Sequence, residues 1–242
     1  MSAGRDRTIV LIPGLTCDDR FWAEQRPTLA RMGEVVIPRL HDERSIGTMA
    51  AVTLAAADGP LDVIGHSMGG RVALEVMRRA PERVHSLAVL DTGVHPADAG
   101  EPERRQGRIE IAEAGGMDAL AADWVPAMLH PDRRGDAGLI GAISAMVASF
   151  TVGQYRGQIR ALLERPDARP LLASISCPVL VACGEADEWS PLAQHEQIAA
   201  AIPGARLAVV ENAGHMVAME QPEATTRLLV EWVDESARAR QR

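Results

Sequence analysis

Ser67 stands in Gly65-His66-Ser67-Met68-Gly69, directly after the run Leu61–Ile64 and just before a helical pattern from Arg71 to Ala80. Strand, tight G-x-S-x-G turn and helix are the sequence form of a nucleophile elbow. Glycines two before and two after the serine fit a turn in which backbone approaches backbone and a Cβ has no room. The turn would lift the hydroxyl above the sheet, at a helix N-terminus where free N–H groups favour developing negative charge. The chemistry predicted for Ser67 is nucleophilic.

A serine hydroxyl needs a base, and the base needs a group that orients it. His215 meets the first need. It closes Asn212-Ala213-Gly214-His215, just beyond the run Arg206–Val210. Asp187 meets the second, in the loop Gly184–Pro191 that follows the run Pro178–Ala182. Asp91, in Leu90-Asp91-Thr92-Gly93 after the run Ser86–Leu90, is the rival acid. His41, His85, His95, His130 and His195 lack such a context and read as structural, and His66 reads as packing beneath the serine. Cys17 has no base placed for it and reads as a small buried side chain. Asp132 to Asp136 carries charge without metal-ligand spacing, so neither a metal nor an organic cofactor is expected.

These positions need a scaffold. Short aliphatic runs (Thr8–Ile12, Glu34–Pro38, Leu61–Ile64, Ser86–Leu90, Pro178–Ala182, Arg206–Val210) alternate with helical patterns. That alternation predicts an α/β fold with a parallel sheet covered by helices on both faces. Asp18 or Asp19 could cap a helix that Pro27 interrupts and Gly33 closes. Ser45 could cap a helix to Ala57, and Ser190-Pro191 reads as N-cap and first helical residue. Pro222 opens a last helix, and the tail beyond Asp234 looks frayed. From Val94 to about Ile175 only helical patterns occur, too long a stretch for a simple crossover. The predicted organisation is a core of 1–93 and 176–242 with a helical cap of 94–175.

Trp124, Met128, Met146 and Phe150 of that cap, with Trp22 and Trp189 from core loops, are the candidate pocket residues for a mostly apolar small molecule. Arg104, Arg105, Arg108, Arg156 and Arg160 could offer a guanidinium to a carboxylate, but a solvated helix face is the simpler fate for each.

Composition narrows the partners. A net charge of −8 over 242 residues argues against nucleic acid. All 25 basic residues are arginine. Three scattered cysteines, Cys17, Cys177 and Cys183, make no disulfide framework. The polar start Met1–Arg7 lacks a signal-peptide core, and no apolar run is long enough for a membrane span. A cytoplasmic chain is the expectation.

With these motifs in order, the chain resembles the α/β-hydrolase superfamily, in the branch that carries a helical cap. Ile12-Pro13-Gly14-Leu15 resembles the oxyanion loop, Gly65–Gly69 the elbow, Gly184–Pro191 the acid loop and Asn212–His215 the histidine loop. The resemblance implies a catalytic triad of Ser67, Asp187 and His215. It also implies an oxyanion hole from the backbone N–H groups of Leu15 and Met68. Relatives of this kind begin with two further strands; here only seven residues precede the first run. A six-stranded sheet in order 2-1-3-4-5-6 is therefore expected, with the Glu34–Pro38 strand an exposed edge that a second copy of the chain could cover. The implied activity is hydrolysis of a carboxylic ester, lactone or thioester through an acyl-enzyme. Elimination or carbon–carbon cleavage with the same triad, or a receptor role without catalysis, are the alternatives that the superfamily offers.

Overall fold

The computed structural model describes residues 7–239, so the polar N-terminal stretch before Arg7 and the last three residues of the tail lie outside it. Six strands form one sheet: β1 (Thr8–Ile12), β2 (Glu34–Val36), β3 (Leu61–His66), β4 (Val84–Leu90), β5 (Val179–Gly184) and β6 (Arg206–Val210). Their spatial order is β2-β1-β3-β4-β5-β6 and every pairing is parallel. Ten α-helices lie along the described chain: α1 (Arg26–Leu29), α2 (Ile46–Ala55), α3 (Met68–Arg79), α4 (Glu101–Met128), α5 (Ala137–Ala148), α6 (Val152–Leu163), α7 (Arg169–Leu172), α8 (Leu192–Ala201), α9 (Val217–Glu220) and α10 (Pro222–Ala239).

Alternation along the strands builds two cores. Ile9 and Leu11 of β1 pack on one face with Ile64, Leu90, Leu180 and α10 residues Leu229, Trp232 and Val233. Val10 and Ile12 point the other way, to Val63, Val89, Val181 and the apolar sides of α2 and α3. A side-chain period of two makes this division automatic once both faces are covered. The first core runs on into the cap, through Trp124, Met146, Phe150 and Tyr155. Between β4 and β5 the chain is helical, α4 to α7, without a strand. Long α4 is really two helices, broken at Gly116, whose φ of 76° suits a residue without a Cβ. No single described helix is long and apolar enough to cross a membrane.

Several local expectations need correction. Asp18 does cap a first turn, Asp19–Trp22, and the segment is interrupted as expected. It shrinks, however, to that turn and the four residues of α1, where Pro27 sits in the first turn and lacks an N–H to carry a helix through. Ser190 does not cap α8: Pro191 is extended, the helix starts at Leu192, and the Ser190 N–H is used elsewhere. The tail is not frayed at Asp234, since α10 continues to Ala239 with Ser236 buried and Glu235 paired to Arg206 at 3.0 Å. Strand β2 keeps only three residues, which leaves a short edge and little template for pairing. The opposite edge, β6, exposes Leu207 and Val209.

Candidate active site

The elbow forms because β3 runs straight into α3 with one residue between them. That residue, Ser67, has φ 54° and ψ −115°, a conformation that side chains with a Cβ rarely adopt. Its backbone is pinned on both sides. The Ser67 N–H donates to the Leu90 carbonyl at 2.8 Å, and the Thr92 hydroxyl donates to the Ser67 carbonyl at 2.6 Å. A Cβ on Gly65 would collide with the Gly69 carbonyl, and one on Gly69 with the Ile12 carbonyl. The two glycines are therefore demanded by backbone contact. Strain of this kind has a measurable consequence. Ser67→Gly is expected to be more stable than Ser67→Ala by on the order of 0.5–1 kcal/mol, because glycine adopts this φ freely. Urea denaturation of both variants checks it, and an alanine variant of equal or greater stability would remove the strain argument.

Three loops converge on the hydroxyl. The Ser67 hydroxyl donates to His215 Nε2 at 2.9 Å, and His215 Nδ1–H donates to Asp187 Oδ2 at 2.8 Å. Asp187 also accepts from the N–H groups of Trp189 (2.9 Å) and Ser190 (3.0 Å) through its other oxygen. Burial by itself would raise the Asp187 carboxyl. The adjoining His215 and these N–H groups outweigh it and hold the acid below the ordinary carboxylate range. Asp91 lies behind this relay. It accepts from Gly184 N–H at 2.8 Å and makes no bond to His215. Complete burial, then the charge of Asp187, pushes its carboxyl well up, so Asp91 holds a proton where Asp187 does not.

The raised Asp91 carboxyl has a definite sign. A group that binds its proton more tightly when folded loses stability as pH rises above its unfolded value of about 4. Asp91→Asn lacks that slope. Its melting temperature relative to the parent should therefore improve between pH 5 and pH 8, whereas parallel pH profiles would contradict the burial argument.

Leu15 follows β1 on a loop whose Gly14 packs against His66 and Ser67, where a Cβ would approach His66 Nδ1 at 2.9 Å. Met68 is the first residue of α3. Among the described residues neither the Leu15 nor the Met68 N–H has an acceptor, while the next two N–H groups do: Thr16 donates to Gln158 Oε1 (2.9 Å) and Cys17 to the Gly14 carbonyl (3.2 Å). Gln158 gives no sequence signal. It is a buried cap residue on α6 that also donates to the Leu40 carbonyl at 3.0 Å, and so holds the Leu15 loop in place. Glu220 is a second such residue. Its carboxylate accepts from the N–H groups of Gly214, Met216 and His130, which joins the histidine loop to the end of the cap.

His66 supports the site from below. It stacks on Phe21 at 4.1 Å and donates from Nε2 to the His215 carbonyl at 2.7 Å. Burial, and then His215, bring its imidazole down to about 3, so it stays neutral. The Cys17 thiol is driven up to about 12, chiefly by burial, which leaves it protonated and inert. His195 accepts from Thr92 N–H at 3.0 Å and thereby fixes the loop after β4. Asp91, Asp187 and His215 have donor atoms within 4.8 Å of one another. Their existing bonds and the proton on Asp91 suit proton transfer better than a cation.

A cavity of about 630 Å³ opens beside Ser67. Leu15, Met68, Trp124, Met128 and Trp189 give it apolar wall, with Trp124 and Trp189 stacked at 5.3 Å and Trp189 5.1 Å from the His215 ring. Trp22, Met146 and Phe150 are a correction: all three are packed inside the core and take no part in the cavity wall. Large apolar side chains in a cap are drawn first to the seam between cap and sheet. Arg105 and Arg108 are a second correction, because both are half-buried on the cavity wall. Arg104 borders the cavity too, but it keeps the solvated face expected of it, with its side chain 62% exposed and paired to Asp98. Arg156 and Arg160 do sit in solvent, paired to Glu113 and Glu164. Arg71, His95 and Arg165 also reach the wall, and nothing in their local sequence marks them.

Comparison with known proteins places the chain in a family and matches its fold. Residues 9–228 match the family described as the alpha/beta hydrolase family. The chain is 32% identical over 190 residues to a pimeloyl-[acyl-carrier protein] methyl ester esterase of Neisseria meningitidis serogroup B, covering 74% of this chain and 71% of that protein. A thermophilic esterase from Thermogutta terrifontis, solved with malate bound, superposes with a TM-score of 0.87 at 28% identity, over 97% of this chain and 92% of that one. The enol-lactonase from Burkholderia xenovorans LB400 superposes with a TM-score of 0.86 at 25% identity, over 97% of this chain and 94% of that one.

Proposed function

Because the chain belongs to the alpha/beta hydrolase family, we propose that it is a serine hydrolase that cleaves a carboxylic ester of a small substrate through an acyl-enzyme on Ser67. One observation carries the reading: hydroxyl, imidazole and carboxylate form a continuous relay, 2.9 Å and 2.8 Å per step, at the mouth of a cavity. Names of similar proteins, a methyl ester esterase, an esterase and an enol-lactonase, favour the same class.

In this mechanism Ser67 Oγ attacks the carbonyl carbon as its proton passes to His215 Nε2. Asp187 keeps the imidazole in the required tautomer and stabilises the imidazolium. The N–H groups of Leu15 and Met68 stabilise the oxyanion of the tetrahedral intermediate; one such donor is typically worth roughly 10²–10³ in turnover. Collapse breaks the ester C–O bond, and His215 returns its proton to the departing alkoxide. Water then attacks the acyl-enzyme with His215 again as base, and the second collapse frees the acid and Ser67.

The finer readings follow from composition and edges. Buried, unpaired Cys17 and Cys183 fit a cytoplasmic location, and the exposed apolar edge β6 is where a second copy of the chain would pair to make a homodimer.

A fluorophosphonate probe tests the reading directly. It should label Ser67, fail on Ser67→Ala, and abolish hydrolysis of p-nitrophenyl esters in step with labelling. Absence of labelling on the folded parent, with ligand-dependent stabilisation but no turnover, would replace the hydrolase by a receptor.

A further inference from the structure

The cavity wall beside Ser67 is far more cationic than the protein as a whole. Five guanidinium groups line it, Arg71, Arg104, Arg105, Arg108 and Arg165, against two carboxylates of its own, Asp98 and Glu101. The full chain carries a net charge of −8. Glu101, Arg104, Arg105 and Arg108 recur at the i, i+3, i+4, i+7 spacing that puts them on one face of α4. Arg71 stands one helical turn beyond the serine on α3, with its N–H turned back to the Ser67 carbonyl.

The two carboxylates are fully used. Glu101 receives Arg165 on both oxygens, at 2.7 Å each, and Arg105 at 2.6 Å. These bonds overcome the burial that would raise it and hold its carboxyl down to about 2. Asp98 is taken by Arg104 at 2.6 Å. Arg71 and Arg108 are left over. Among the described residues neither has a carboxylate within ion-pair distance. Arg71 donates to the His95 carbonyl at 2.9 Å, and Arg108 lies 5.2 Å from the Trp189 ring and 6.0 Å from that of Trp124. Both side chains are partly buried, and drawing a guanidinium even partly out of water without an anion costs free energy. Burial, followed by the charge of Arg165, brings Arg71 down to about 9, which still leaves it charged at neutral pH. Two such cations on one cavity wall mark a place for a missing negative charge. A guanidinium reads a planar carboxylate through two parallel N–H bonds, which a point charge cannot do.

We propose that the cavity accepts an ester with a free carboxylate at its far end, bound by Arg71 and Arg108, while the ester carbonyl lies at Ser67. This rests on the hydrolase reading and deepens it: the substrate is an acidic ester, such as the half-ester of a short dicarboxylic acid. Its methylene spacer would lie along the apolar wall of Trp124, Met128 and Trp189. Trp189 links the two ends, touching His215 on one side and Arg108 on the other.

The test compares the p-nitrophenyl monoester of glutaric acid with p-nitrophenyl valerate, which has the same chain length and no charge. The parent should favour the acidic ester in kcat/KM. In Arg71→Met and Arg108→Met the acidic-to-neutral ratio should fall by about 10- to 100-fold, mainly through KM, as expected for loss of a charge-assisted hydrogen bond. The ratio cancels any general damage to the active site. Arg156→Met, whose side chain is in solvent, should keep the parent ratio. A parent that favours valerate, or variants that keep the ratio, would overturn the inference while Ser67 labelling and valerate hydrolysis leave the hydrolase reading intact. If labelling and hydrolysis both fail, calorimetric titration of glutarate into the parent and the two variants decides the anion site alone. Binding weakened at least ten-fold in both variants supports it, and no binding to the parent overturns it. Inorganic phosphate binding more tightly than glutarate would overturn the carboxylate assignment.

Discussion

Ser67→Ala and His215→Ala will each lower turnover of an activated ester by on the order of 10⁴–10⁶, and the double variant will be scarcely worse than either. The reason is the relay geometry. Without the hydroxyl there is no attacking atom, and without His215 Nε2, 2.9 Å away, the hydroxyl keeps its proton. The residual rate comes from the two N–H groups and from binding alone. Steady-state kinetics with a p-nitrophenyl ester, on variants shown to fold by circular dichroism, measures the effect. Either single variant retaining a tenth of the activity would remove Ser67 and His215 from the chemical step. So would additive losses in the double variant.

Asp187→Asn should cost roughly 10⁴ in kcat, whereas Asp91→Asn should cost a few-fold at most. Both acids are buried at the ends of neighbouring strands, so burial cannot separate them. Bonding does. Asp187 accepts the Nδ1–H of His215, and an amide there would offer a donor or a weaker acceptor and favour the wrong tautomer. Asp91 carries its own proton because two buried carboxylates side by side cannot both ionise, and asparagine imitates that neutral acid. Reversal of the two effects would move the orienting role to Asp91. A pH–rate profile adds a check: the Asp187→Asn variant should regain activity at high pH, where hydroxide can take the Ser67 proton that His215, in the wrong tautomer, no longer accepts.

The two corrected pocket assignments share a physical cause. Trp22, Met146 and Phe150 are apolar and lie near the cap or the first loop, so composition alone could not divide seam from cavity. Arg105 and Arg108 show the opposite case. A cationic stripe at helical spacing reads as solvated because water is the default partner of a guanidinium. Only the arrival of Arg165 and Arg71 from distant segments turns the same stripe into a wall. Gln158 and Glu220 were invisible for a related reason: their roles lie in backbone groups 142 and 90 residues away, the N–H of Thr16 and of His130.

The sequence by itself determined what short-range covalent geometry can enforce. Strand positions followed from aliphatic runs, the starts of α2 and α10 from Ser45 and Pro222, and the elbow from two glycines that leave no space for a Cβ. It also put Ser67, Asp187 and His215 at the carboxyl ends of strands, because in a parallel sheet every such loop opens on the same side. Tertiary structure alone decided which of two buried aspartates faces the imidazole, which cap side chains border the cavity, and how many positive charges gather there. Those outcomes depend on side chains that meet across the fold, at distances set by helix packing over the sheet, and no local pattern encodes them.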